Sequence, residues 1–298
     1  MTIMGGAWTY DDNAIREDLL SVLTNLTPTE TQLVSGLAVS TAKNIHHQYL
    51  IDTLDSVKVN AYIEGVDASF QDTTHPQRIS NTCQIFREPF RVSDTERSVD
   101  TAGFSDRYAY EATKALKELK NDMEYALMRG SLICGDATAA ARQLRGIKRG
   151  LSLVTAQSGV SLTETILNDY LQNVWDEGTE VNALYGGMYM KRKISSFTAG
   201  ATKNVDIKDR RLVNAVDIYE ADAARLVKLF AHRYVYVSGD TNYDVVGINE
   251  DLFKVAYLRK PFTREIAKTG DADKGEVVTE VTLENLHYNA GFWSSQHL

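Results

Sequence analysis

The strongest constraint in this sequence lies between residues 105 and 129, where Tyr108, Ala112, Ala115, Leu116, Leu119, Met123, Ala126 and Leu127 recur at helical spacing. They form one unbroken apolar stripe, and Glu111, Lys114, Lys117, Glu118, Lys120, Asp122 and Glu124 fall on the opposite, charged side. Such a helix must bury one face along its whole length. At 1.5 Å per residue it reaches about 40 Å, enough to run along most of a domain. The spacing of Lys114 with Glu118 and of Lys120 with Glu124 predicts ion pairs on its outer face. Gly130 is placed to end it.

The remainder mixes short helices with short strands, so the predicted class is α+β. Residues 12–26 read as a small amphipathic helix. Thr27-Pro28-Thr29-Glu30 is a helix start with N-cap, proline at the first position and a reciprocal glutamate, and it opens a short helix ending near Gly36. Ile45 to Leu54 and Ile79 to Ser93 read as two strands flanking a polar loop that carries Glu64, Gly65, Asp67, Asp72 and Pro76. A two-stranded excursion is marginal in water and must lie on something else. Residues 135–160 read as loop. Ser161 to Glu164 is a second capping box, leading a helix with Leu162, Ile166, Tyr170, Leu171, Val174 and Trp175 on one face. A strand at Val181 to Tyr185 and a helix at Tyr189 to Phe197 precede a charged loop, Lys203 to Arg211. Strands are then predicted at Val213 to Tyr219, Leu226 to Phe230, Tyr234 to Val237, Val245 to Ile248 and Phe253 to Arg259. Two more, near Thr263 to Ala267 and Val277 to Tyr288, flank a turn-rich stretch from Lys268 to Gly275.

The chemistry such a chain could perform is narrowed by what its motifs lack. With 298 residues, 43% of them hydrophobic, it can bury a substantial core. The sequence contains no phosphate-binding G-x-x-x-x-G-K-[ST], no G-x-G-x-x-G behind a strand and no G-x-S-x-G elbow. Gly146-Ile147-Lys148-Arg149-Gly150 is basic between glycines but lacks a strand–helix frame, so Arg142, Arg145, Lys148 and Arg149 read as a solvated or subunit-facing run. His46 and His47 are adjacent on a strand, point to opposite faces and cannot share a metal. Asp271, Asp273 and Glu276 imitate part of a calcium loop, but Gly275 is one position early and Thr282 stands at the position of the final acid. A polar hairpin turn is the better reading. Cys83 and Cys134 belong to no metal-binding or redox motif and are expected as free thiols. Phe86, Phe90, Tyr257 and Phe262 are expected in a core or interface rather than on a base-stacking platform. No catalytic residue, cofactor or metal site is expected. Forty acidic against 32 basic residues give a net charge of −8, which argues against gripping nucleic acid by phosphate attraction without excluding its enclosure. No membrane span or signal peptide is read, and a cytosolic origin is expected.

Several stretches, in order, resemble the major capsid proteins of tailed bacteriophages with the Hong Kong 97-type fold. They are Gln84-Ile85-Phe86, Val92-Ser93-Asp94-Thr95-Glu96 with Val99-Asp100-Thr101-Ala102-Gly103, and Ala115 through Glu124. Lys191 through Phe197, Phe253 through Arg259 and Ala267 through Lys274 complete the set. The resemblance runs from about Thr27 to about Leu286, and order and spacing carry it rather than any single piece.

The resemblance implies an N-terminal arm (1–40), an extended β-hairpin loop (41–97) and a peripheral domain (98–160 and 256–298) with a spine helix at 105–129. An axial domain (161–255) would complete the subunit. It implies no enzyme but a shell subunit, forming hexamers and pentamers of an icosahedral virion that encloses double-stranded DNA. Portal and possible decoration or scaffolding proteins would be its partners, and assembly would occur in the host cytoplasm. The expected subunit-facing residues are Glu64, Asp67 and Phe70 on the loop, Lys203 and Asp206 near the capsomer centre, and Lys268, Asp271, Asp273 and Lys274 near local three-fold contacts. The short arm predicts no fused N-terminal scaffold, and no motif singles out a lysine–asparagine cross-link. The alternatives are an encapsulin-like nanocompartment, in which a helix would replace the arm, and an enzyme of unidentified type.

Overall fold

A computed structural model describes residues 31–99 apart from 56, 69, 71, 73 and 74, then 106–135, and 140–197 apart from 158. It further describes 205–206, 211–212, 218–221, 224–235 and 243–297. The predicted helix at 12–26 and the capping box at Thr27 lie outside these residues.

In chain order the elements begin with α1 (Gln32–Gly36), β1 (Ala38–Thr41), β2 (His46–Ile51), β3 (Gln77–Thr82) and β4 (Gln84–Ser93). Next come α2 (Asp94–Ser98), α3 (Arg107–Arg129), α4 (Ile147–Gly150), β5 (Leu153–Ala156), α5 (Glu164–Asp176), β6 (Ala183–Gly186) and α6 (Met188–Phe197). The short strands β7 (Val205–Asp206), β8 (Arg211–Leu212) and β9 (Ile218–Ala221) follow. The chain closes with β10 (Ala224–Ala231), β11 (Tyr243–Ile248), β12 (Phe253–Ile266), β13 (Ala272–Asn285) and β14 (Gly291–His297).

These strands build two main sheets. A four-stranded sheet has the order β1-β12-β13-β4, parallel at β1 and antiparallel elsewhere. A six-stranded mixed sheet has the order β5-β14-β11-β6-β10-β9. The pairs β2-β3 and β7-β8 stand apart from both.

α3 is the predicted long helix. Asp106 caps it by accepting from the Tyr108 amide at 2.9 Å, and the Gly130 amide closes it on the Ala126 carbonyl at 2.8 Å. Ala115, Leu119, Met123, Ala126 and Leu127 are buried, facing Phe86, Val255, Val277, Val281 and Leu283 of the four-stranded sheet. One expectation fails: Glu124 does not reach out to Lys120 but is fully buried. Lys114 and Glu118 do approach, at 3.8 Å.

The six-stranded sheet is covered on both faces. Strand alternation sends Tyr185, Val246 and Trp293 into the core shared with α3, while Leu184, Val245 and Phe292 enter a second core under α5 and α6. α5 contributes Leu167, Tyr170, Leu171 and Val174, and α6 contributes Met190 and Ile194. Trp175, expected on the same face, stays 56% exposed.

Other departures have local causes. The cap of α5 is Thr163, not Ser161, because its hydroxyl is the one that reaches the Ile166 amide. The stretch 135–160 is not all loop: Ile147 is fully buried and anchors α4, while β5 pairs in parallel with β14. Residues 233–235 form a turn rather than the start of a strand. The two strands predicted at 253–267 are one, β12, interrupted only by register shifts around Arg259. The predicted strand from Ile79 to Ser93 breaks at Cys83. β3 pairs with β2, whereas β4 joins β13 in the four-stranded sheet. β14 went unread, since Gly291-Phe292-Trp293-Ser294-Ser295 lacks alternation, being buried on both faces.

Candidate assembly surfaces

The hairpin β2-β3 carries the first surface. Beyond it, the described residues of 52–76 form neither helix nor strand, and Leu54, Val57, Val59 and Phe70 are more than nine-tenths exposed. Tyr62, Ile63 and Val66 add to the same apolar display. Exposed apolar side chains in this number make the loop a candidate for burial against another molecule. The root of the hairpin, in contrast, is tightly fixed. Asn81 is buried and fully bonded: its Nδ2 donates to the Leu283 carbonyl at 2.7 Å and the Arg145 carbonyl at 3.0 Å, and its Oδ1 accepts from the amides of Arg145 and Thr82, each at 2.8 Å. His47 Nε2 meets Glu284 at 2.6 Å, and the Asn285 amide donates to the Tyr49 hydroxyl at 3.0 Å. His46 points the other way, toward Thr82, as the strand geometry required.

The second surface is the turn between β12 and β13. Gly270, at φ +97°, allows the reversal. Lys268 Nζ sits 2.9 Å from both Asp94 and Asp273, and Arg97 closes the ring on Asp273. The hydrogen bonds from Lys268 and Arg97 hold the Asp273 carboxyl below the usual range, and Asp94 and Asp273 raise the Lys268 ammonium. Beside this ring, Arg97, Asp106, Tyr108, Glu265 and Lys274 line an open cleft of about 680 Å³.

Thus two residues expected to face a neighbour, Lys268 and Asp273, are engaged within the chain, and Asp271 remains exposed. Lys274 meets Thr269. Glu64 and Asp67 lie exposed on the apolar loop with Phe70. The backbone of Asp206 pairs with Arg211 across β7-β8, and Lys203 lies outside the described residues. Cys83 is buried and Cys134 exposed, both free, and no cluster of metal-binding side chains occurs among the described residues. No described helix is long and apolar enough to cross a membrane.

Sequence reasoning passed over two constellations. Glu276, Glu280 and Glu284 share one face of β13, as residues four apart on a strand must. Arg87 and Arg264 flank Glu276, Arg142 and Arg259 each bind Glu280 at 3.0 Å, and His47 and Ser40 bind Glu284. Their regular spacing was the available signal. The second constellation joins α3 to the six-stranded sheet. Asp244 Oδ2 accepts from Trp293 Nε1 at 3.1 Å and pairs with Arg129 at 3.2 Å and Lys148 at 3.4 Å. Both cations also lie over the Trp293 ring, Lys148 Nζ 4.9 Å from its centroid. Arg142, Arg145 and Lys148, expected to be solvated or subunit-facing, are instead engaged within the chain by Glu280, the Ser80 carbonyl and Asp244, and Arg149 alone of the four stays exposed.

A long helix laid on an extended four-stranded sheet, with a second helix-covered sheet beside it, is the architecture of the Hong Kong 97-type fold of phage capsids. The sequence model of the family described as SU10 major capsid protein matches residues 3–294, and the chain belongs to that family. The major capsid protein of Escherichia phage Phieco32 is 30% identical over 122 residues, which is 41% of this chain and 35% of that protein. The chain thus spans about a third of that relative's length. Among solved structures, the capsid of a native GTA particle superposes with a TM-score of 0.65 at 13% identity, covering 96% of each chain. The capsid of Myoviridae phage XM1 gives 0.62 at 10%, covering 94% of this chain and 96% of its own. The SrpI encapsulin of Synechococcus elongatus PCC 7942 gives 0.60 at 11%, covering 94% and 91%.

Proposed function

We propose that copies of this chain assemble into hexamers and pentamers that close as an icosahedral virion shell around double-stranded DNA, formed in the host cytoplasm. A portal complex, and scaffolding or decoration proteins, complete the set of partners. The observation that supports this reading is the apolar side chains of the 52–76 segment on their rigid root, which the described residues leave largely exposed. In this reading residues 1–40 are the arm, and 41–97 the extended loop, laid over a neighbouring copy. Residues 98–160 and 256–298 form the peripheral domain, and 161–255 the axial domain with the 203–211 segment near the capsomer axis. Burying the loop in an interface stabilises it at about 25 cal/mol per Å² of apolar area. The net charge of −8 suits a shell that encloses DNA without gripping it. At the β12–β13 turn, Asp271 and Lys274 are the charges we assign to the neighbour, and the Lys268–Asp273 ring shapes the turn that presents them. We further propose that the subunit performs no catalysis.

The test is a pair of variants examined by electron microscopy and sedimentation. Leu54→Asp with Phe70→Asp should leave a soluble, folded subunit that no longer forms closed particles, and Asp271→Lys should reduce particle yield. Normal particles from the loop variant would refute the role given to 52–76. Particles that hold protein cargo and no nucleic acid would move the reading to an encapsulin-like compartment.

A further inference from the structure

Glu124 is a carboxylate with no exposure to solvent, and all of its partners are donors. Its Oε1 accepts from the Leu33 amide at 2.7 Å and from His232 Nε2 at 2.8 Å, and its Oε2 accepts from the Val34 amide at 2.9 Å. The Tyr234 amide points at His232 Nδ1 at 3.3 Å, so Nδ1 is the acceptor and the proton resides on Nε2, facing Glu124. Leu33 and Val34 are in the first turn of α1, where amides have no partner inside the helix. Thr31, at the cap position, spends its hydroxyl on Ser35 Oγ at 3.3 Å and supplies no bond to the helix amides. Glu124 therefore replaces the missing cap from a different helix. It also holds the 231–235 turn, where Arg129, one turn further along α3, binds the carbonyls of Tyr234 and Val235.

We propose that Glu124 is a latch coupling two movements: detachment of α1, the first element of the described chain, and loosening of the 231–235 turn that joins α3 to the six-stranded sheet. A force on the chain ahead of α1 loads Gln32 and then Leu33 and Val34, the two residues whose amides Glu124 holds. When those amides leave, the buried carboxylate loses two of its three donors and can be stabilised only by drawing in water or turning out of its site. Either movement disturbs His232. Conversely, loss of the His232 contact weakens the charge-assisted bonds that hold α1. A single buried charge thus makes the two contacts one cooperative unit. Gln32 Nε2, which donates to the Ala231 carbonyl at 3.2 Å, ties α1 to the same turn.

Hydrogen exchange followed by mass spectrometry on the full chain, in particles and as dispersed subunits, tests this. Val34→Pro removes one donor in the first turn of α1, where no bond inside the helix is lost, and changes no residue of α3 or the turn. Exchange should quicken in residues 31–37 and, at a distance, about fivefold or more in 231–235. Glu124→Gln, whose amide must point a donor at a donor, should quicken both segments together. Faster exchange in α1 with 231–235 unchanged would show two independent contacts and overturn the coupling. No change in α1 in either variant would show that the carboxylate does not hold it, with the same consequence.

Discussion

Replacing Asp244 by asparagine removes one charge from the joint between α3 and the six-stranded sheet while keeping side-chain size. The side chains of Asp244 and Arg129 are 10% and 16% exposed, and Lys148 is 31% exposed. Removing one partner of a buried pair costs about 3–5 kcal/mol, because the other charge remains desolvated. Two features lower that figure. The asparagine oxygen still accepts from Trp293, and the Lys148 ammonium can turn toward water. The expected loss is then about 2–3 kcal/mol. For a chain of this size each kcal/mol moves Tm by about 2–4 °C, so the midpoint should fall by roughly 5–10 °C. Calorimetry of dispersed subunits measures it. Adding Arg129→Met to Asp244→Asn separates lost pairing from lost shape. The double variant should be more stable than the sum of the single losses by about 1–3 kcal/mol, since the stranded guanidinium is gone. A midpoint within about 2 °C of the parent, or strict additivity, would falsify the claim that charge pairing holds this joint.

Two further outcomes follow from the packing. A Cβ at Gly146 would lie 2.6 Å from the Gly130 nitrogen and 2.7 Å from the Ala126 carbonyl oxygen, both backbone atoms. Gly146→Ala should therefore cost about 1–3 kcal/mol or more. Gly36→Ala, with open space around it, should be neutral or stabilising by up to about 1 kcal/mol in the same thermal assay. Burial pushes the Cys83 thiol up to about 11 from 9.0, so a maleimide at pH 8 should label exposed Cys134 and leave Cys83 until the chain unfolds. The raised value means the folded state keeps the proton longer than the unfolded one. Stability from this group is complete below pH 9 and declines as pH rises from 9.0 toward 11.

What the sequence determined by itself is what local pattern encodes. The stripe from Ala115 to Leu127 specifies a long half-buried helix, because a 3.6-residue period leaves one face nowhere to go but into a core. Adjacent positions on a strand predict opposite faces for His46 and His47, and His47 meets Glu284 while His46 turns toward Thr82. The ordered stretches from Gln84 to Lys274 carried the family. Tertiary structure decided where residues of opposite local signal end up. Glu124 sits among charged residues in the helical projection, yet two amides of α1 and a histidine 108 positions away make burial its best environment. β4 looked like one arm of a long hairpin, because strand pattern does not name its partner, and only the sheet reveals that it pairs with β13. Lys268 and Asp273 read as exposed turn charges. Their ring with Asp94 and Arg97, 174 and 176 residues away in sequence, exists only once α2 folds against the β12–β13 turn. Periodicity is a property of neighbours along the chain, whereas charge pairing and strand partnership depend on distances that the closed fold alone sets.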